Sequence, residues 1–172
     1  MSKRVAFCTL GCKVNQYETD GMKALFENAG YETCGFEEEA NVYIVNTCTV
    51  TNIADHKSRQ MLRRPRKISP DAVIVAVGCY AQEAGEKLLS EGTADLVAGN
   101  DVKSRIVQIV EEYMRGRGQD PNCRADMDSV RDFEDMPVSP ERKMSRAYIK
   151  IQDGCNQFCS YCIIPYARGR IR

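Results

Sequence analysis

No apolar stretch in this 172-residue chain approaches the ~20 residues that a membrane-spanning helix needs, so no membrane span is expected. The opening Met1-Ser2-Lys3-Arg4-Val5 runs straight into a strand-like segment and carries no signal-peptide apolar region. There is no net charge, with 24 basic residues against 24 acidic ones. That argues against a chain that binds polyanions over its whole surface and leaves room only for a local basic face. Histidine is nearly missing. His56 stands alone and reads as a surface residue on a basic helix. No internal repeat is visible. Cysteine, by contrast, is plentiful. Nine thiols without an export signal point to a reducing cytoplasm, where thiols stay free or bind metal, and an odd count fits poorly with a complete disulfide framework.

The first two-thirds of the chain alternates strand-like and helix-like segments. Val5–Leu10 is a short apolar run closed by Gly11. Met22, Leu25, Phe26 and Ala29 then fall on one helix face, and Gly30 is a natural stop. Tyr31–Phe36, Val42–Val45, Ala72–Val77 and Asp95–Ala98 read as strands. A helix is expected to open at Asn52 with Asn52 as its cap, a second over Tyr80–Ser90, and a third on Val102, Ile106, Ile109, Val110 and Tyr113, ended by Gly116. Continuous apolar strands between amphipathic helices imply a parallel sheet covered on both faces. The expected organisation is a first domain over 1–115, an acidic, proline-punctuated linker over 116–143, and a second unit over 144–172. Strand-like alternation resumes in Ala147–Ile151 and leads into a cysteine loop.

That loop places Cys155, Cys159 and Cys162 in C-x3-C-x2-C spacing. Zinc sites usually draw four ligands, often as two C-x2-C pairs, and bacterial ferredoxins use C-x2-C-x2-C with a distant fourth cysteine before proline. Neither matches. Three thiolates fill three corners of a [4Fe–4S] cubane and leave one iron open, which suits radical chemistry with S-adenosylmethionine.

Three further cysteines occupy equivalent places in the alternating pattern. Cys12, Cys48 and Cys79 each follow a strand, in Leu10-Gly-Cys-Lys-Val-Asn-Gln16, Asn46-Thr-Cys-Thr-Val-Thr51 and Gly78-Cys-Tyr-Ala-Gln82. In an open parallel sheet the loops after the strands' carboxyl ends gather at one edge, so these three can converge on a second three-thiolate cluster. The plainer reading makes each a small buried hydrophobe. Three in the same topological position favour the cluster. Cys8 and Cys34, inside strands, read as packing residues, and Cys123 as a free thiol. The basic run holding Lys57, Arg59, Arg63 and Arg64 is either an RNA contact or a solvated helix face.

Taken together, Gly11-Cys-Lys-Val-Asn-Gln-Tyr-Glu18, Asn46-Thr-Cys-Thr-Val-Thr51, Gly78-Cys-Tyr-Ala-Gln82 and the Gly154–Pro165 cysteine loop resemble the radical S-adenosylmethionine methylthiotransferases over nearly the whole chain. Thr9–Gln16, Cys48–Asn52 and Asp55–Gln60 are most similar to the MtaB-type branch, which modifies N6-threonylcarbamoyladenosine beside the tRNA anticodon. The linker and the Arg64-Pro-Arg66 turn depart from the family pattern.

The resemblance implies that Cys155, Cys159 and Cys162 hold the cluster that binds and cleaves S-adenosylmethionine, and that Cys12, Cys48 and Cys79 hold an auxiliary [4Fe–4S] cluster carrying the sulfur to be donated. One S-adenosylmethionine would methylate that sulfur, and another would yield the radical that activates adenosine C2. The implied partners are the tRNA anticodon region and an electron donor. Tyr161 is a candidate contact to the adenine of S-adenosylmethionine, or else barrel core. The family continues into a TIM-like barrel and an RNA-binding β domain. The fold expected here is therefore α/β, an open parallel sheet followed by the first βα unit of a truncated barrel, and this fragment is expected to be inactive alone. The open alternatives are another tRNA adenosine derivative, a ribosomal protein substrate, or a non-catalytic iron–sulfur module.

Overall fold

The computed structural model describes residues 3–116, 120–137 and 148–172. Residues 117–119 and 138–143 of the expected linker, and Ala147 of the expected strand, lie outside the described residues.

Strand β1 (Arg4–Thr9) leads to α1 (Lys13–Asn28), β2 (Glu32–Cys34) and β3 (Val42–Thr47). Next come α2 (Asn52–Arg63), a short α3 (Pro65–Ile68), β4 (Val73–Gly78), α4 (Cys79–Ser90) and β5 (Leu96–Ala98). A 3-10 turn at Lys103–Arg105 precedes α5 (Ile106–Met114), β6 (Asn122–Cys123) and α6 (Ile164–Arg168). Among the described residues the strands form one sheet in the order β2-β1-β3-β4-β5-β6, with every neighbouring pair parallel. The expected α/β class and parallel sheet are what the chain forms.

Every residue of β3 is buried. Its alternate side chains feed two cores. Val42 and Ile44 join Val75, Val77, Leu96, Met22, Phe26 and Ile106 on one face, beneath α1 and α5. Val45 joins Ile74, Ala76, Leu62, Tyr80 and Leu88 on the other, beneath α2 and α4. Burial on both faces is why these strands read as unbroken apolar runs.

Three expectations need correction. The cap of α2 is Thr51 and not Asn52: its hydroxyl accepts from the Ala54 N–H at 3.1 Å, so the orphan donors of the first turn are met one residue earlier. Part of the expected linker is built into the sheet. Asn122 and Cys123 form β6 against Val97 and Ala98, and Met127 and Met136 are buried. Tyr148–Ile151 forms no strand. Its alternation is real, but among the described residues no neighbouring strand takes its hydrogen bonds, and Ile149 and Ile151 stand 83% and 89% exposed. In place of the expected βα unit the described residues show the cysteine loop and the five-residue helix α6.

Candidate metal centre

The chain reverses direction across the sheet at β1: β2 lies on one side of it and β3 on the other. Open α/β sheets bind ligands at such a switch point, outside the carboxyl ends of the strands. Cys12 follows β1, Cys48 follows β3, and Cys79 follows β4. These three strands are adjacent and in register, with Thr9 opposite Asn46 and Thr47 opposite Gly78. With neighbouring strands about 4.8 Å apart, the three loops leave the sheet within about 10 Å of one another.

The residues flanking the cysteines explain how the loops are held. Cys12 is the extended N-cap residue of α1, and Cys79 is the first residue of α4. Thr47 donates its hydroxyl to the Val77 carbonyl at 2.6 Å and accepts from the Ala81 N–H at 3.0 Å, tying β3 to the start of α4. Asn15 donates to the Leu10 and Thr47 carbonyls at 2.8 and 3.0 Å, tying α1 to both loops. Ser58 of α2 brackets Cys48, accepting from its N–H at 3.3 Å and donating to its carbonyl at 3.1 Å. Gly11, at φ +95°, packs on the Cys48 side chain. A Cβ there would lie 2.8 Å from Cys48 Sγ, so only glycine lets the first loop approach the second thiol. Gly78, at φ +90°, lies as tightly against Asn46 Oδ1, a buried acceptor with no hydrogen-bond partner among the described residues.

Cys48 and Cys79 are buried and Cys12 is exposed. Burial pushes the Cys79 thiol above its ordinary value, while Arg168 and Lys103 pull the other way. Among the described residues no three Cys, His, Asp or Glu side chains close on one point. The fit of an iron–sulfur cluster therefore rests on loop convergence, the Gly11 cradle against Cys48, and a donor set of three thiols, which suits iron.

The second set sits on a loop closed at its base by paired backbone bonds, Asp153 N–H to Arg172 O at 2.9 Å and Arg172 N–H to Asp153 O at 3.1 Å. The Cys155 N–H donates to Gly169 O at 3.0 Å. Gly154, at φ +72°, admits that return strand, since a Cβ would strike the Gly169 and Arg170 carbonyls. Phe158 takes φ +49° and is braced by Tyr166, edge-on at 5.8 Å, and by the Arg170 guanidinium 4.7 Å above its ring. Cys159 is exposed, and Cys155 and Cys162 are half-buried. Tyr161 stands 91% exposed and does not pack as barrel core.

What joins the two sets was not foreseen. Glu18 of α1 is fully buried and faces three cations, with Lys103 Nζ at 2.5 Å, Arg168 Nη1 at 2.8 Å and Lys150 Nζ at 3.1 Å. Asp153 takes Lys150 at 2.7 Å, Arg168 at 2.9 Å and Arg172 at 3.5 Å. Arg168 also donates to Asn15 Oδ1 at 2.8 Å. Burial alone would raise the Glu18 carboxyl, yet Lys103, Arg168 and Lys150 hold it well below its ordinary value. One sequence signal was there to be seen: Glu18 lies four residues before Met22, on the apolar stripe of α1, where a lone carboxylate demands a partner.

The basic run lies on α2 and α3. His56, Arg59, Arg63, Arg64 and Lys67 line a shallow groove of about 520 Å³. Its arginines are engaged. Arg59 donates to Tyr80 Oη at 2.7 Å, Arg64 pairs with Glu37 at 2.7 Å, and Arg63 with Glu91 at 3.4 Å. Lys57 and His56 are exposed. Cys8 and Cys34 lie within strands, as expected of packing residues, and Cys123 lies in β6.

A parallel α/β unit with cysteines at the carboxyl ends of its strands matches a known family. The model described as "Uncharacterized protein family UPF0004" covers residues 4–99, and the chain belongs to that family. It is 45% identical over 168 residues to the threonylcarbamoyladenosine tRNA methylthiotransferase MtaB of Bacillus subtilis, covering 98% of this chain and 37% of that protein. Its identity to the MtaB protein of Aquifex aeolicus is 42%, over 98% of this chain and 41% of that protein. The tRNA-2-methylthio-N(6)-dimethylallyladenosine synthase of Moorella thermoacetica is 35% identical, over 99% of this chain and 39% of the relative. The chain thus spans about two-fifths of the length of these curated relatives. Among solved structures, the radical S-adenosylmethionine methyltransferase TsrM of Kitasatospora setae, with cobalamin and a [4Fe–4S] cluster bound, superimposes with a TM-score of 0.59 at 15% identity, covering 99% of this chain and 43% of that one. That likeness concerns the fold alone.

Proposed function

We propose that this chain carries the two cluster sites of a tRNA methylthiotransferase that modifies C2 of N6-threonylcarbamoyladenosine beside the anticodon. What supports the reading is that Cys12, Cys48 and Cys79 each follow one of three adjacent parallel strands at the same sheet edge, with the loop of Cys155, Cys159 and Cys162 tied to α1 through Arg168. The choice of substrate rests on the higher identity to the threonylcarbamoyladenosine relatives, 45% against 35% for the dimethylallyladenosine synthase. Cys12, Cys48 and Cys79 hold the sulfur-donating cluster, and Cys155, Cys159 and Cys162 the one that binds S-adenosylmethionine.

Adenosine C2–H has no acidic proton and no leaving group, so a cofactor and not a side-chain acid or base must activate it. When bound, the clusters supply the reducing electron and the sulfur. The chain's own residues hold the two thiol sets in register through α1, α4 and the Glu18 network, and Tyr161 stands exposed beside Cys162 to meet the adenine of S-adenosylmethionine. An electron donor and the tRNA are the partners this chemistry requires. Among the described residues no helix is long and apolar enough to cross a membrane. The cytoplasm, where both tRNA and reduced thiols are found, is the proposed location.

Anaerobic reconstitution with iron and sulfide is expected to load two [4Fe–4S] clusters, and adding S-adenosylmethionine is expected to change the spectrum of one of them. An unchanged spectrum with full iron would favour a non-catalytic iron–sulfur module.

The groove on α2 and α3 is the proposed tRNA contact. Arg59→Glu, Arg63→Glu and Arg64→Glu together are expected to weaken tRNA binding and flatten its salt dependence, by about 0.7–0.9 in slope for each phosphate that is no longer neutralised. Filter binding across a salt series reads both. The three arginines already have local partners, so a slope that stays put with intact clusters would assign them to a solvated face.

A further inference from the structure

The buried ion network around Glu18 and Asp153 does not balance among the described residues. There Lys103, Lys150, Arg168 and Arg172 share Glu18 and Asp153. Four cations against two carboxylates leave positive charge over. All six side chains are at most 5% exposed, so water does little to neutralise the excess. Glu134 makes no ion pair with the four cations among the described residues, and its Oε1 accepts from the Ser104 N–H at 2.6 Å. Arg172 Nε is buried with no acceptor among the described residues. Buried cations persist when they are paired, and a surplus of this kind asks for an anion.

The anion must lie where the surplus points. Arg168 is the member that reaches the cysteine edge. Its guanidinium bonds Asn15, the residue that ties α1 to the loops of Cys12 and Cys48. A [4Fe–4S] core held by three thiolates is an anion in both of its common redox states, and it gains a further negative charge on reduction.

We infer that the Glu18–Asp153 cation network is the built-in counter-charge of a cluster held by Cys12, Cys48 and Cys79, and that Arg168 is the positioning residue that presents it. The inference rests on the proposed ligand set. Two consequences follow. The cluster's reduced state is stabilised over its oxidised state, because hydrogen bonds and nearby charge set cluster potentials. And the loop of Cys155, Cys159 and Cys162, which carries Arg168 at its return, must be docked for the first cluster to have that potential. One site thereby senses the seating of the other.

The test uses the full chain with Cys155, Cys159 and Cys162 replaced by Ala, so that only the sheet-edge set binds iron. One electron from dithionite reduces the cluster, and a mediated titration followed by electron paramagnetic resonance gives its midpoint. Arg168→Met is expected to lower the ratio of reduced to oxidised cluster at a fixed poise by at least tenfold, which is 59 mV for a one-electron couple. Arg168→Lys keeps the charge and is expected to recover most of that potential, while losing the fork to Asn15 and Glu18. Asp153→Asn, which removes a negative charge, is expected to shift the midpoint upward and provides a second reading if Arg168→Met folds poorly. An intact cluster whose midpoint stays put in Arg168→Met and Asp153→Asn would overturn the inference and leave the ligand assignment standing. Failure of the parent to hold any cluster would overturn both.

Discussion

Glu18→Ala is expected to destabilise the chain by about 3–5 kcal/mol, the cost of leaving a buried ion pair with one side missing. For a chain of this size that is a fall in melting temperature of roughly 6–20 °C. The effect is large because one carboxylate serves Lys103, Lys150 and Arg168, and none of the three can turn to water where it is. Glu18→Gln keeps the volume and is expected to cost less, while still losing the charge. The network also predicts an acid limit. Glu18 and Asp153 are both held below their ordinary values by neighbouring cations that outweigh their burial. A carboxylate with a depressed folded pKa stabilises above its unfolded pKa, and that contribution drains away as pH falls through the folded one. Stability is therefore expected to fall as the pH drops below about 4 and to go on falling towards the folded values, with the slope reduced in Glu18→Gln. Glu134, raised by burial, works in the opposite sense. Thermal melts between pH 3 and 7 read all of this. A Glu18→Ala melt within a degree or two of the parent would mean that water had filled the gap and that the network holds nothing together.

The fold was legible wherever burial was strong and local. Val42–Val45 and Ala72–Val77 read as strands because both faces of each are covered and every position is apolar. The first half of α1 was not legible. Its N-cap is an extended cysteine without a side-chain hydrogen bond to the helix start, and it opens on Lys13-Val-Asn-Gln16, which shows no apolar stripe. Over 148–151 the expected strand does not form for the converse reason: the pattern is present, but no partner strand lies beside it among the described residues. The placement of Cys12, Cys48 and Cys79 after three adjacent strands was legible because it depends only on topology, and strand-to-loop order fixes that. The ion network was not. Glu18 and Arg168 lie 150 residues apart, and nothing near either in sequence announces the other. The arginines of α2 were visible as charge but not as pairs, because Glu37, Glu91 and Tyr80 come to them from other elements.

Replacing Cys12, Cys48 and Cys79 together with Ala is expected to remove about half of the iron that the reconstituted chain binds, and the same change at Cys155, Cys159 and Cys162 about the other half. The two losses should add if the two sets of three cysteines each hold their own cluster. Cys48 and Cys79 are buried, so the first triple variant also loses packing and needs a melt of the iron-free protein beside its iron assay. If the fold holds and the iron falls by half, the three loops are ligands and not merely core. If the iron is unchanged, the sheet-edge cysteines are packing residues, and the network behind them has some other anion to serve. Cys8, Cys34 and Cys123 supply the control. Cys8 pairs with Val45 inside the sheet, Cys34 lies in β2 and its thiol faces the Val5 carbonyl at 3.6 Å, and Cys123 lies in β6. Ser at all three is expected to leave the iron content where it was. A drop there would mean that the ligands are drawn from the strands and not from the loops beyond their ends, and that the switch point is not where the cluster sits.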